Sequence, residues 1–330
     1  MITIRSLRSL FGWLDPFVAL LLATLVVAAL APPVGTYATA LGEVRWAIIA
    51  IVFFVAGLRI SPTATLNGLR DWRLHGTTLG LTFVAFPVVA GLVALATAPL
   101  VGTELTTGLL FLGALPSVVQ TSVTFVSMAR GNTAAAVCAA SISNLAGVVV
   151  TPLLVLLLIG SYAGIGLGQV VAVLTQILVP FAIGQALHGR LGGWAARHAV
   201  AVRWVDRGAV LLIVYSAFGA AVAGGVWQRL PVSQLVVVGV CCATLLAVAL
   251  TVSYFGSGAL GFAREERAVI TFCGSEKSLT TGLPMSTILF SASLAGVVIV
   301  PVIIYHQLQL IACSLIARKL GDRVESPVIA

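Results

Sequence analysis

Apolar residues gather along this chain in runs of about twenty, the length of helix that spans a bilayer core, with short charged or proline- and glycine-containing stretches between them. The runs fall at 16–31, 45–60, 76–98, 105–128, 133–159, 167–187, 207–226, 233–256, 267–291 and 293–316. They predict an all-α membrane protein of ten transmembrane helices. SPTATLNGLRDWRLH (61–75) is too polar to span. Its Leu66, Leu69, Trp72 and Leu74 predict a short helix lying at the membrane surface. GRLGGWAARHAVAVRWVDR (189–207) reads the same way. The chain therefore divides into 1–188 with six spans, a cytoplasmic basic linker at 189–206, and 207–330 with four spans and a short cytoplasmic tail.

Two of the ten runs are not uniformly apolar. LPSVVQTSVTF (115–125) interrupts the fourth and CGSEKSLTTGLP (273–284) the ninth. Each is the fourth run of its five-run half, and an odd number of spans per half predicts two repeats of opposite membrane orientation. Paired interruptions at corresponding places of inverted repeats point to the binding site of a secondary transporter. Pro116, Gly274, Gly282 and Pro284 are the predicted helix breakers. Counted from Arg267, Glu276 lies about 13 Å into the span at helical rise, where a charge is costly unless it faces protein or a water-filled cavity. Neighbours on a regular helix point about 100° apart, so Glu276 and Lys277 need unwound backbone to meet. The first interruption offers Gln120, Thr121 and Ser122. Asn144, at the centre of the fifth run, is costly to bury without partners and is predicted to face the same place. Ser278 and Thr280 complete the expected hydrogen-bonding walls.

Composition narrows the chemistry. The chain is 60% hydrophobic and 8% charged over 330 residues, which excludes a soluble domain. Its net charge of +8 comes from residues that punctuate the spans, with no basic run suited to nucleic acid. Fifteen of the 18 Lys and Arg residues fall on one side of the ten-span arrangement, against Arg45 and Arg229 on the other, with Lys277 inside. The positive-inside rule then predicts both termini in the cytoplasm of a cell with an inner membrane. The first run follows Arg5 and Arg8 and lacks a small-residue cleavage site, so it is expected to be a retained helix. The five cysteines sit in apolar runs without metal spacing and are expected in the core. Of the four histidines, only His306 lies within a span. No Walker motif, nucleophile elbow, HExxH or haem spacing occurs, which argues against an enzyme or an ATP-driven pump. The expected partners are the lipid bilayer and a small-molecule solute, not nucleic acid, and no organic cofactor is expected.

LPSVVQTSVTFVSMARGNTAAAVCAASISNLAGVVVTPLL (115–154) resembles the fourth and fifth helices of the bile acid:sodium symporter family. FVAGLRISPTATLNGLRDWRLH (54–75) and TFCGSEKSLTTGLPM (271–285) resemble its SBF-like branch, which includes solute carrier family 10 member 7. The resemblance implies two inverted five-helix repeats arranged as a panel and a core, with broken helices 4 and 9 crossing near the midplane at the ion and substrate site. Together with the charges of Glu276 and Lys277, it leads to the expectation of secondary active transport of a small, anionic organic solute, coupled to sodium or protons by alternating access. The alternative, suggested by the same branch, is a non-transporting membrane regulator of calcium homeostasis. Sodium-dependent members carry E-x-G-M-Q-N in the ninth helix. Aligned on Gly274, this chain has Phe272 at their Glu and Glu276 at their Gln, and Ala136 and Ala140 at hydroxyls of their first sodium site. Glu276 remains the candidate metal ligand for sodium. Lys277 is the expected charge partner of Glu276, standing where an ion would sit and offering its charge to a proton step or an organic anion.

Overall fold

The computed structural model describes residues 16–59, 71–163, 167–225, 228 and 230–325. Among these, all regular structure is helical. In chain order the helices are α1 (Pro16–Leu30), α2 (Gly35–Arg59), α3 (Trp72–Gly80), a π-helical turn (Leu81–Ala85), α4 (Phe86–Ala114), α5 (Val119–Met128), α6 (Thr133–Ala163), α7 (Leu167–Arg197), α8 (Ala199–Ala223), α9 (Val232–Ala259), α10 (Arg264–Ser275), α11 (Leu279–Leu289) and α12 (Ala292–Glu325). Among the described residues, seven stretches are long and apolar enough to cross a membrane: Gly35–Arg59, Trp72–Ala114, Thr133–Gly160, Leu167–Arg197, Ala199–Ala223, Val232–Ala259 and Ser293–Asp322. Large apolar residues such as Leu92, Leu157, Val236 and Phe255 are exposed on their outer faces, as a protein surrounded by lipid requires. This is a multi-pass membrane protein.

Several sequence expectations change. Of the predicted surface helix at 61–75, residues 61–70 lie outside the described residues, and Trp72 to His75 open α3. Trp72 is 73% exposed there while Leu74 and His75 are buried, so of the apolar positions predicted for the surface helix Leu74 packs inward and Trp72 faces out. The basic segment 189–206 forms no separate element. It is the end of α7 and the start of α8, with a single turn at His198. The predicted runs 76–98 and 105–128 meet inside α4, where Gly102 leaves helical conformation at φ 75° and ψ 171°. A residue without Cβ adopts that backbone at no steric cost.

The helices form two groups. In one, α1, α2, α7 and α8 pack together, with α2 and α7 in long contact. A Cβ on Gly57 of α2 would overlap the Phe181 carbonyl oxygen of α7, and one on Gly184 of α7 would overlap the Phe54 carbonyl oxygen of α2. Small residues that let backbones touch in this way are how membrane helices gain packing energy. The other group is built from α4, α6, α9, α10 and α12, with α5 and α11 set among them. The groups meet where α8 packs on α12 and α11, and where α7 packs on α6 and α11.

Both interrupted runs are broken in the structure, for different reasons. Between α4 and α5, Pro116 lacks an N–H and pushes the preceding residue to extended backbone. Leu115 accordingly has φ −72° and ψ 149°. Between α10 and α11 the break covers Glu276 to Ser278, with Glu276 at φ −76° and ψ 146°. No proline or glycine sits there. Gly274 is helical within α10, and Gly282 and Pro284 are helical within α11, so these three are not the breakers the sequence suggests. The glycines instead admit close neighbours: a Cβ on Gly282 would stand 2.7 Å from Leu115 Cδ1, and one on Gly274 3.1 Å from Leu81 Cδ1. Ser278 starts the new helix as its N-cap, its hydroxyl accepting the Thr281 N–H at 3.2 Å.

Candidate functional site

The two breaks meet. The Ser278 N–H donates to the Pro116 carbonyl at 2.8 Å, joining segments 162 residues apart in the chain. Asn144 of α6 ties both into one unit. Its Nδ2 donates to the Ser117 carbonyl at 2.8 Å and to the Ala140 carbonyl at 3.0 Å, while its Oδ1 accepts from the Thr281 hydroxyl at 3.1 Å. The Ser117 N–H donates to the Ser143 hydroxyl at 3.1 Å. These bonds satisfy backbone groups that unwinding exposes in a region without water.

Glu276 and Lys277 are both fully buried at this junction, and their side chains reach separate sets of partners. Glu276 Oε2 accepts from the Thr121 hydroxyl at 3.1 Å and from the Ser122 hydroxyl. Its Oε1 is buried and has no hydrogen-bond partner among the described residues. The Lys277 ammonium donates to the carbonyls of Thr82 (2.9 Å), Gly113 (3.0 Å) and Leu115 (2.8 Å) and stands 4.1 Å from the centre of the Phe86 ring. Among the described residues the ion pair formed is Arg59 with Asp206, at 3.8 Å. Lys277 is therefore not the charge partner of Glu276. On a broken backbone the two side chains leave in different directions, and each finds partners on another helix.

A cavity of about 260 Å³ lies beside the junction, between the two helix groups. Val118, Val119, Gln120 and Thr121 at the start of α5, and Ser278, Thr280 and Thr281 at the start of α11, form part of its wall. The first N–H groups of a helix have no intrahelical partner and carry the positive end of its dipole. Two such helix ends thus face one space. Asn144 and His306 share this wall; Phe17, Phe53, Arg59, Phe181, Asp206 and Arg207 close the other side. Thr121 alone among the residues holding Glu276 also lines the cavity. Of the residues singled out in the sequence, Gln120, Thr121, Asn144, Ser278 and Thr280 face the cavity; Ser122, Glu276 and Lys277 lie behind its wall. The three hydrogens of Lys277 are taken by carbonyls, so it offers none to a solute.

A second cavity, also about 260 Å³, lies on the far side of the junction and is lined by Arg45, Trp46, Ile49, Gln176, Phe290 and Ser291 among others. The two cavities share α2 and α11. Arg45 and Arg59 are fourteen residues apart on α2, roughly 20 Å at helical rise; Thr280 and Thr287 face the two cavities from opposite ends of α11.

Residues that the sequence did not single out complete the junction. Gln309 of α12 accepts the Lys277 N–H at 2.9 Å and donates to the Lys277 carbonyl at 3.1 Å, with its Nε2 also 3.0 Å from His306 Nδ1. The Tyr305 hydroxyl donates to the Ser275 carbonyl at 2.7 Å, and the Thr151 hydroxyl to the Ala114 carbonyl at 2.8 Å. A polar pair such as His306 and Gln309 within an apolar span was the available signal.

Residues 15–322 match the SBF-like CPA transporter family. The chain belongs to this family. It is 41% identical over 318 residues to the uncharacterized protein PA2026 of Pseudomonas aeruginosa, covering 96% of each chain. It is 38% identical over 317 residues to the Escherichia coli protein named "Putative symporter YfeH", again covering 96% of each. It is 26% identical over 299 residues to sodium/bile acid cotransporter 7 of Mus musculus, covering 87% of this chain and 88% of that one. Membership of this family places the chain among membrane transporters, in keeping with the branch its broken-helix motifs resemble.

Proposed function

We propose that this chain is a secondary active transporter of a small anionic organic solute, working by alternating access between the two cavities and coupled to a cation, sodium or a proton, at Glu276. In this reading ten spans form two inverted five-helix repeats in the inner membrane with both termini in the cytoplasm, and the cavity beside Arg59 opens to the cytoplasm. The observation that carries it is Thr121, whose hydroxyl lines the solute cavity and donates to the buried Glu276 carboxylate. Solute and coupling ion are then one hydrogen bond apart, so occupancy of one changes the environment of the other.

The anionic character follows from the two helix N-termini that face the cavity, with Arg207 beside the Arg59–Asp206 ion pair in its opposite wall. A volume of about 260 Å³ falls at the low end for organic ligands, which favours a small solute. The unpartnered Glu276 Oε1 is the position that accepts a proton or contacts a sodium ion. Relatives named as symporters and sodium/bile acid cotransporters support cation coupling.

The test is the melting temperature of purified protein in sodium, lithium, potassium and calcium and across a pH series, for wild type and Glu276→Gln. A ligand that binds the folded state alone raises the melting temperature. Stabilisation by sodium, or a pH-dependent shift, that Glu276→Gln abolishes is the expected result. An identical response of wild type and variant to every cation and to pH would refute coupling at Glu276.

A further inference from the structure

We infer that Lys277 is a tethered cation: its ammonium, carried by the α10–α11 break, fills a cage of carbonyl oxygens from the π-helical turn and the broken end of α4, and so holds both breaks together without a free ion. Three carbonyls from separate places converge on Nζ at 2.8 to 3.0 Å. Thr82 belongs to the π-helical turn, where the ladder of helical bonds shifts; Gly113 and Leu115 belong to the end of α4, where Pro116 stops it. Carbonyls freed at a helix end carry partial negative charge and attract cations. The Phe86 ring, 4.1 Å from Nζ, presents its negative face to the same point.

Three acceptors around one nitrogen require three hydrogens, and only the ammonium form has them. Oxygen dipoles with an aromatic face are also the surroundings that suit a monovalent cation. The lysine stem is a tether from the other break. Gln309 grips the Lys277 backbone on both its N–H and its carbonyl, so the position of the stem is fixed at its root. The ammonium therefore couples the end of α4, the π-helical turn and the α10–α11 break as one body.

Replacing Lys277 by Ala removes three carbons and the nitrogen, the atoms of n-propylammonium. The experiment follows the melting temperature of Lys277→Ala in n-propylammonium, in n-propanol (equal size, no charge) and in tetramethylammonium (charge, no N–H). The variant is expected to melt on the order of 10 °C below wild type. Propylammonium restores most of that loss saturably at millimolar concentration, while the two controls do not. Equal effects of all three solutes overturn the inference. Lys277→Met keeps the length of the stem without the charge: it is expected to melt as low as Lys277→Ala and to ignore propylammonium, and a wild-type melting temperature for it would show that the lysine only fills space. If Lys277→Ala aggregates on extraction, cells grown with and without propylammonium are compared by size-exclusion chromatography. A monodisperse peak that depends on the amine supports the cage, and aggregation in both overturns it. All readouts are of folding, so their failure leaves the proposed coupling at Glu276 standing, and the sodium and pH series can fail without touching the cage.

Discussion

Two single side chains carry the proposed coupling geometry, and they separate function from stability. Thr121→Val keeps the shape of the side chain and removes the hydroxyl between cavity and carboxylate. In proteoliposomes, uptake driven by a sodium or proton gradient is expected to fall at least about tenfold toward the gradient-independent level, at a stability cost of about 1–3 kcal/mol for one hydrogen bond to a charged group. For proton coupling the sign is fixed: acid outside drives wild-type uptake, and the variant loses that acceleration. Undiminished gradient-driven uptake by Thr121→Val would remove this hydroxyl from the mechanism. Asn144→Leu cuts different bonds. It loses one bond to Ser117 and one to Thr281, each joining α6 to a different break. Interhelical hydrogen bonds in membranes are worth roughly 0.6 kcal/mol on average and up to about 1.7. A loss of about 1–3 kcal/mol, read from the denaturation midpoint, is therefore expected, together with weaker solute binding, because Asn144 also lines the cavity.

The two broken helices show how far a sequence specifies an element. The α4–α5 break is local: Pro116 removes one N–H and bars helical backbone at Leu115, and the polar residues after it mark the start of α5. Pro116→Ala is expected to let the helix run on, so that amides 117 to 119 gain protection in hydrogen exchange and the Ser278 N–H loses its acceptor. Unchanged exchange at those amides would show that tertiary contacts alone hold this break. The α10–α11 break is the opposite case. Glu-Lys-Ser has no intrinsic reason to leave a helix, and the glycines and proline nearby are helical. The break is held by what its residues reach: Thr121 and Ser122 for Glu276, three carbonyls and Gln309 for Lys277, and Pro116 for Ser278. Ser278→Ala is expected to cost about 1 kcal/mol as a lost N-cap without closing the break. This division explains what the sequence revealed. Costly polar residues in apolar runs, such as Gln120, Asn144 and Glu276, could be placed near one site because burying them needs a reason. Phe17, Val52 and Phe181 of the opposite wall could not, since an apolar residue reads alike whether it faces lipid or a cavity. The Thr82 carbonyl, 195 residues from Lys277, belongs to backbone and leaves no mark in the sequence at all.

At the scale of the molecule, the proposed alternating access requires that one helix group move against the other, so that contacts between the groups would decide which cavity is open. The interlocked glycines Gly57 and Gly184 hold α2 to α7 within one group, where backbone meets backbone. Gly296 lies between the groups. A Cβ there would stand 2.6 Å from the Ala217 carbonyl oxygen of α8 and press on the Ala221 methyl, so α12 and α8 touch closely only because this residue is glycine. Gly296 is five residues beyond Ser291, about 7.5 Å along the chain, and Ser291 lines the cavity that contains Arg45. A wedge at Gly296 must therefore part the groups on the Arg45 side. Gly296→Val adds an isopropyl group against a backbone carbonyl that cannot swing away, and overpacking of this kind costs about 1–3 kcal/mol in the conformation that suffers it. That cost falls on the closed contact alone, so it shifts the balance toward the conformation open beside Arg45 by roughly 5- to 150-fold. Cysteines introduced singly at Ile49 and at Val52, on successive turns of α2 facing the two cavities, report the shift through labelling by a membrane-impermeant maleimide in a Cys138→Ser background. Gly296→Val is expected to raise the labelling rate at position 49 and lower it at position 52. A folded variant that labels both positions as wild type does would mean that the close approach of α8 and α12 does not govern which side is open.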